Sequence, residues 1–339
     1  MRKLLPLAIV LLLCSLYTKA QYRTQEFGFQ TDNDGYLGQG SDRYYTNGIF
    51  LFYREALPFD LDGKLANKVL GFEGGQKMYN PLSGSITNTN PSYNTPAYNL
   101  QNIDRPFAAY LYLGGTYNLL YKNQSNLKFG AQIGVTGSKA QGKQVQDFIH
   151  NTFGFYTPYG WDHQLKGGIK LTLTAEYNKM LFRSPIFDAN FSSYVNIGNV
   201  FSGLGFGPLL RLGRTNKLFN SISTQSTVMN RDGVKANDQE FFFYYKPMIN
   251  IVGYDGTIQS KSGQLPFATI QSGLSPDQIN SLEIKGTPER LILSNQIGAA
   301  YNSGDRWTFD ASVIFQSKAT KETRESEQWG SISVMYHFN

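Results

Sequence analysis

Three short segments carry the side chains able to do chemistry. The first, Thr31-Asp32-Asn33-Asp34-Gly35, gathers carboxylate and amide oxygens beside a glycine, the hard donors that a cation such as Ca²⁺ takes. It lacks the spacing and terminal Glu of an EF-hand, and Asp-Asn-Asp-Gly is equally an ordinary turn. The second, Ser41-Asp42-Arg43-Tyr44-Tyr45-Thr46-Asn47-Gly48, puts a carboxylate and the Thr46 hydroxyl just ahead of an apolar run, at the mouth of a strand. In the third, Gln144-Val145-Gln146-Asp147-Phe148-Ile149-His150, Val145, Phe148 and Ile149 recur at i, i+3 and i+4, which predicts a short helix. Gln146 and His150 then share one face. An imidazole titrates near neutral pH and can serve as a general base. A lone histidine is more often structural, so this segment by itself leaves both readings open. Of the two other histidines, His163 lies in a polar stretch and His337 on the polar parity of the last strand, where it is expected to line an interior.

The elements that must position these residues read as strands. Trp307, Phe309, Ala311, Val313 and Phe315 share one parity, with Thr308, Asp310, Ser312, Ile314 and Gln316 on the other. Ile169 to Tyr177, Phe129 to Val135 and Ile332 to Phe338 repeat the pattern. Period-two alternation over nine or so residues suits a tilted membrane-crossing strand. Further strands are expected near 23–32, 43–54, 106–118, 191–198, 204–212, 241–252 and 290–301. That makes roughly 11, and bacterial barrels hold even numbers, so about 12 are expected. A soluble β-sandwich also alternates. Aromatic residues at strand ends (Tyr44, Tyr45, Tyr53, Trp161, Trp307, Trp329), read as an interfacial girdle, and a terminal Phe338-Asn339 favour the barrel. Residues 57–104, 214–238 and 254–288, rich in polar and turn residues, read as excursions from it. The fold class expected is all-β: an antiparallel up-and-down transmembrane β-barrel with long extracellular loops and a short helix carrying His150.

Composition agrees. Among 339 residues, aromatics reach 14% and charged residues only 17%, against about 25% charged in ordinary soluble domains. Beyond the N-terminus no apolar run approaches the ~20 residues of a membrane helix, which excludes a polytopic helical protein. High aromatic and β-branched content argues against disorder. Met1-Arg2-Lys3 followed by the apolar Leu4 to Leu13 and by Thr18-Lys19-Ala20 reads as a signal peptide, residues 1–20, cleaved after Ala20. The barrel then occupies 21–339. Removing Arg2, Lys3 and Lys19 lowers the formal charge from +6 to +3, which leaves no argument for nucleic-acid binding. The single cysteine, Cys14, goes too, and with it any disulfide or thiol chemistry.

Taken in order, the motifs resemble the outer-membrane lipid A deacylase family, calcium-dependent enzymes that remove the 3′-O-linked acyloxyacyl group of lipopolysaccharide. The resemblance runs from about Phe27 to Gln164. It comprises Asn33-Asp34; Asp42-Arg43-Tyr44-Tyr45-Thr46-Asn47-Gly48; Gln76 with Tyr79-Asn80-Pro81; Asp104-Arg105-Pro106-Phe107; and Val145-Gln146 with His150, Trp161 and Gln164. It implies His150 as catalytic base with Asn33, Asp34, Thr46 and Gln146 around it. It implies Ca²⁺ held by Asn33 and Asp34, lipid A as substrate, and a monomer among outer-membrane lipids. Two departures stand out. The family's Lys after the Tyr-x-Pro element is missing from residues 82–87, for which Arg105 is a candidate replacement. The Glu and Tyr after the histidine are Tyr156 and Pro158 here. The alternatives are hydrolysis of another membrane glycolipid or phospholipid, and a non-enzymatic barrel, structural or a small channel. A Ser–His–Asn phospholipase would need a His-x-Ser-Asn-Gly string, which no histidine provides.

Overall fold

The computed structural model describes residues 23–38, 42–60, 63–83, 103–230, 239–266, 277–278 and 281–339. The expected signal peptide, residues 1–20, and most of the 82–87 segment lie outside them. Twelve strands form one closed antiparallel barrel: β1 (Gln25–Asn33), β2 (Tyr44–Ala56), β3 (Leu65–Asn80), β4 (Ala108–Tyr121), β5 (Ser125–Thr136), β6 (Ile169–Arg183), β7 (Phe187–Gly198), β8 (Phe201–Arg214), β9 (Glu240–Asp255), β10 (Leu291–Asn302), β11 (Trp307–Gln316) and β12 (Glu327–Phe338). Each pairs with its sequence neighbours, and β1 closes the ring on β12 from Gln25↔Phe338 to Asn33↔Gly330. An α-helix, α1 (Gly142–Phe153), stands between β5 and β6.

The alternation read from sequence sorts the two faces. Leu113, Ile133, Ile169, Leu173 and Phe315 point outward and are exposed, as a lipid-facing wall requires. The opposite parity turns Asp32, Arg54, Asn118, Asp310 and His337 inward, and His337 Nε2 meets Glu26 at 3.2 Å. A sandwich would have buried the apolar parity between two sheets. Both chain ends and the short turns 122–124, 184–186 and 303–306 share one end of the barrel, and the longer connections 81–107, 137–168 and 256–290 share the other. In barrels of this kind the longer loops are extracellular.

Three expectations change. The 57–104 excursion contains β3, the strand missing from the sequence count. Its outward parity carries Phe72, Gly74, Gln76 and Met78, while the inward parity carries Gly71, Glu73, Gly75 and Lys77, so the apolar alternation is interrupted. Gly75 is small for a reason: a Cβ there would lie 2.4 Å from the Phe50 ring. Next, most of the proposed girdle is buried or turned into the lumen. Tyr44, Tyr45 and Trp161 are buried, and the Trp329 ring meets Tyr45 edge-on on the lumen side. Outward aromatics gather instead at the terminal end, where Tyr336 meets Trp307 edge-on and stacks on Phe338. Last, residues 215–230 are no extra-membrane extension. They fold back into the lumen, where Phe219 and Val228 pack on Ala56, Val69 and Leu120. Asn67 and Asn118 donate to backbone carbonyls of Val228 and Thr224.

A buried ionic group ties this plug to the wall. Arg211 grips Asp188 through two parallel 2.8 Å bonds and donates to the Ser221 hydroxyl at 2.8 Å. Glu240 accepts from the backbone N–H of Asn216 and Ile222 at 2.9 and 3.0 Å. All three charged side chains have no measurable exposure. Removing one partner of such a group strands the other. Asp188→Ala is expected to cost about 3 kcal/mol, read as a lower urea midpoint for loss of the compact, heat-modifiable band. An unchanged midpoint would show that the group does not hold the plug.

Candidate active site at the outer rim

α1 forms where the sequence predicted a helical turn, and runs longer. Gln141 adopts a positive φ of 59° ahead of it, Lys143 and Asp147 pair at 2.7 Å one turn apart, and Gly154 (φ 73°) ends it with its N–H on the His150 carbonyl, a left-handed stop that glycine suits. Gly142 lets the first turn lie flat: a Cβ would come within 2.6 Å of both Trp161 and Ala109.

Strand parity shows on which side of the wall the helix sits. Met78 and Gln76 of β3, Ala109 of β4 and Val135 of β5 belong to the outward, lipid-facing parity, yet Met78, Gln76 and Ala109 are buried. They are covered by the β5–β6 connection: Gln76 donates to the Ala140 carbonyl at 2.6 Å, and Val145 and Ile149 pack on a cluster of Met78, Phe107, Ala109, Ala140 and Trp161. The turn after β1 likewise folds over the outside, Tyr36 lying against Gly330. The rim residues therefore stand on the outer surface of the barrel rather than in its lumen.

The predicted site residues fall into two groups there. Asn33 ends β1, and its Oδ1 accepts from Gly35 N at 2.6 Å. Asp34, almost fully buried, accepts from Gly35 N (3.0 Å), Arg43 N (2.7 Å) and the Thr46 hydroxyl (3.2 Å). Thr46 is the extra residue of a bulge in β2 opposite β3, which turns it toward Asp34. In the second group, Gln146 and His150 are both buried on one face of α1. Gln146 does not touch the imidazole: its Oε1 accepts from Trp161 Nε1 at 2.6 Å and its Nε2 donates to Asp42 Oδ2 at 2.8 Å.

Asp42 joins the groups, a role the sequence reading did not assign although the residue opens the second motif. Its Oδ2 lies 2.6 Å from His150 Nε2 and accepts from the Tyr156 hydroxyl at 3.0 Å. The next residue's N–H binds Asp34. Tyr44, which follows, sits at φ 58°, a conformation non-glycine residues adopt at a cost and mostly near functional sites. It is held by its hydroxyl donating to Asp104 at 2.7 Å. The second ring nitrogen, His150 Nδ1, meets the Tyr156 carbonyl. Both ring nitrogens therefore face oxygen atoms, Nε2 the Asp42 carboxylate and Nδ1 the Tyr156 carbonyl. Tyr156 thus holds the site twice, by its carbonyl on His150 and its hydroxyl on Asp42. Arg105 does not replace the missing Lys: its guanidinium stacks over Tyr79 at 4.0 Å and binds Thr257, on the lumen side.

Burial, with the nearby Asp42 charge, pushes the Asp34 carboxyl up to about 7, against hydrogen bonds that lower it. Burial and Asp42 also push the Tyr156 hydroxyl up, keeping it a donor. Between about 4 and about 7 the folded chain holds a proton on Asp34 that the unfolded chain has lost. In Ca²⁺-free buffer stability should therefore fall as pH rises through that window. The expected outcome is an unfolding temperature that declines less steeply over it in Asp34→Asn than in the parent chain. Equal slopes would contradict the placement of Asp34.

An apolar-walled, closed twelve-stranded barrel with a polar cluster on its outer rim defines an outer-membrane β-barrel protein. The chain belongs to the LpxR family: the family described as "Outer membrane protein LpxR" matches residues 5–338. LpxR from Salmonella typhimurium superposes with a TM-score of 0.68 at 20% identity, covering 92% of this chain and 100% of that one. The β domain of the Bordetella autotransporter BrkA gives a TM-score of 0.44 at 9% identity, over 94% of this chain and 100% of that one. No curated protein matches.

Proposed function

We propose that this chain is a Ca²⁺-dependent carboxylic-ester hydrolase of the outer membrane that removes a 3′-O-linked acyl group from lipid A. Membership of the LpxR family supports the class. The observation that carries the chemistry is His150, held between Asp42 and the Tyr156 carbonyl on the outward side of the rim, where outer-leaflet lipids reach it from the side.

The donor set suits a hard cation. Asn33, Asp34, Asp42 and Thr46 offer only oxygen or amide donors. Two carboxylates lie near each other, and their one cationic side-chain partner among the described residues is His150. No three His, Cys, Asp or Glu side chains among those residues are placed to hold a metal ion by themselves, so Asn33, Asp34 and backbone carbonyls would have to form the shell. Bound there, Ca²⁺ supplies a Lewis acid that polarises the ester carbonyl and stabilises the oxyanion. His150 works through Nε2: once the proton shared between Nε2 and Asp42 has passed to solvent and Asp42 turns away, the neutral ring would take a proton from the attacking water, while Nδ1–H stays on the Tyr156 carbonyl. Gln146, clamped by Trp161, sets where Asp42 can go. No serine nucleophile is required. The channel reading is disfavoured by residues 215–230, which fold into the lumen and pack on its wall.

His150→Ala is expected to lower ester release from purified lipid A by at least about a hundredfold, with the heat-modifiable barrel band retained. Chelating Ca²⁺ should silence the parent chain to a similar degree. Deacylation that persists in the folded variant would remove His150 from the mechanism.

A further inference from the structure

The apolar repeat that predicted α1 does not all turn inward. Val145 and Ile149 pack on the wall, but Phe148 is 71% exposed, and Phe153 and Phe155 are 69% and 60% exposed. Viewed down the helix, Val145, Phe148, Ile149 and Phe153 share one arc, and Lys143, Asp147 and Asn151 the opposite one. A strongly amphipathic helix with large apolar side chains left uncovered is the pattern of an element lying in a membrane interface. Its position supplies the occupant. α1 rests on outward-parity residues of β3 to β5, and below them on the same faces stand the exposed Leu111, Ile133 and Ile169. The aromatic arc therefore continues the lipid-facing wall upward. It also reaches the site: the Phe153 and Phe155 rings stack at 6.0 Å, and Phe155 meets the His150 ring edge-on at 5.6 Å.

We propose that α1 is an interfacial helix whose Phe148 and Phe153 lie among outer-leaflet acyl chains, and that the Phe153–Phe155 surface receives the substrate's acyl chain as its ester comes to His150. Lys143, Asp147 and Asn151 face the headgroups. The membrane half of this proposal stands on the geometry alone, and the substrate half rests on the deacylase reading.

The test uses the full barrel in phosphatidylcholine vesicles with or without bromine on the acyl chains, which quenches indole fluorescence on contact. Phe148→Trp and Phe153→Trp add a fluorophore on the apolar arc, and Asn151→Trp adds one on the polar arc. After subtraction of the parent signal, bromine should quench the first two at least about twofold more than the third. Equal quenching overturns the membrane half. For the substrate half, Phe153→Ser and Phe155→Ser should each raise the apparent KM for lipid A in vesicles by about tenfold, with Asn151→Ser unchanged. KM values that stay at the parent level overturn it. A parent chain that never deacylates lipid A overturns the substrate half with the functional reading, while the quenching result still decides the membrane half.

Discussion

Successive side chains of a strand point to opposite faces, and a closed barrel has no third place to put them. Here that constraint separates two worlds across a single layer of backbone. Asp32 and Tyr45 meet in the lumen at 2.7 Å, while the neighbouring Asn33 and the bulged Thr46 belong to the rim outside. A one-residue slip of β1 would exchange Asp32 for Asn33 and empty the site. The nine-residue pairing of β1 with both β2 and β12 fixes the register against it. The plug inside and the helix outside can then be built independently, because neither shares a face with the other.

On the outer side, one carboxylate oxygen organises the chemistry. Asp42 Oδ2 takes His150, Gln146 and Tyr156, and the following peptide N–H takes Asp34. Gathering two acidic groups at a half-buried rim is electrostatically unfavourable unless something positive answers them. His150 answers Asp42. Among the described residues no cationic side chain pairs with Asp34, whose carboxyl is raised chiefly by burial and further by the Asp42 charge, and which a bound divalent cation would relieve.

Much of this was legible in the residues. The alternating stretches at 128–135, 169–177, 307–316 and 331–338 are strands with the faces they predict, because lipid outside and polar lumen inside enforce period two there, with Ile314 and Met335 the apolar residues on the inward parity. β3 was not legible, since glycines and charges on its inward parity make room for Phe50 and contact Tyr112 and so break the apolar signal. The 215–230 segment looked like a loop because its backbone finds partners on Asn67 and Asn118, contacts between residues over a hundred positions apart that no local pattern encodes. Gln146 and His150 on one helical face could be read from spacing alone. Asp42 could not, because its importance comes from a connection in space between the β1–β2 and β5–β6 segments. Phe148 shares the apolar spacing of Val145 and Ile149, and only the wall beneath α1 shows it to be uncovered.

The central claim is that the outer-rim cluster hydrolyses an ester of lipid A with the aid of Ca²⁺. Mass spectrometry of lipid A from Gram-negative cells expressing the chain, with and without a Ca²⁺ chelator, tests it most directly. The account predicts a lighter lipid A that appears with Ca²⁺ and vanishes under chelation, its mass loss matching one acyloxyacyl group. Unchanged lipid A in cells whose outer membrane contains the folded barrel would contradict it.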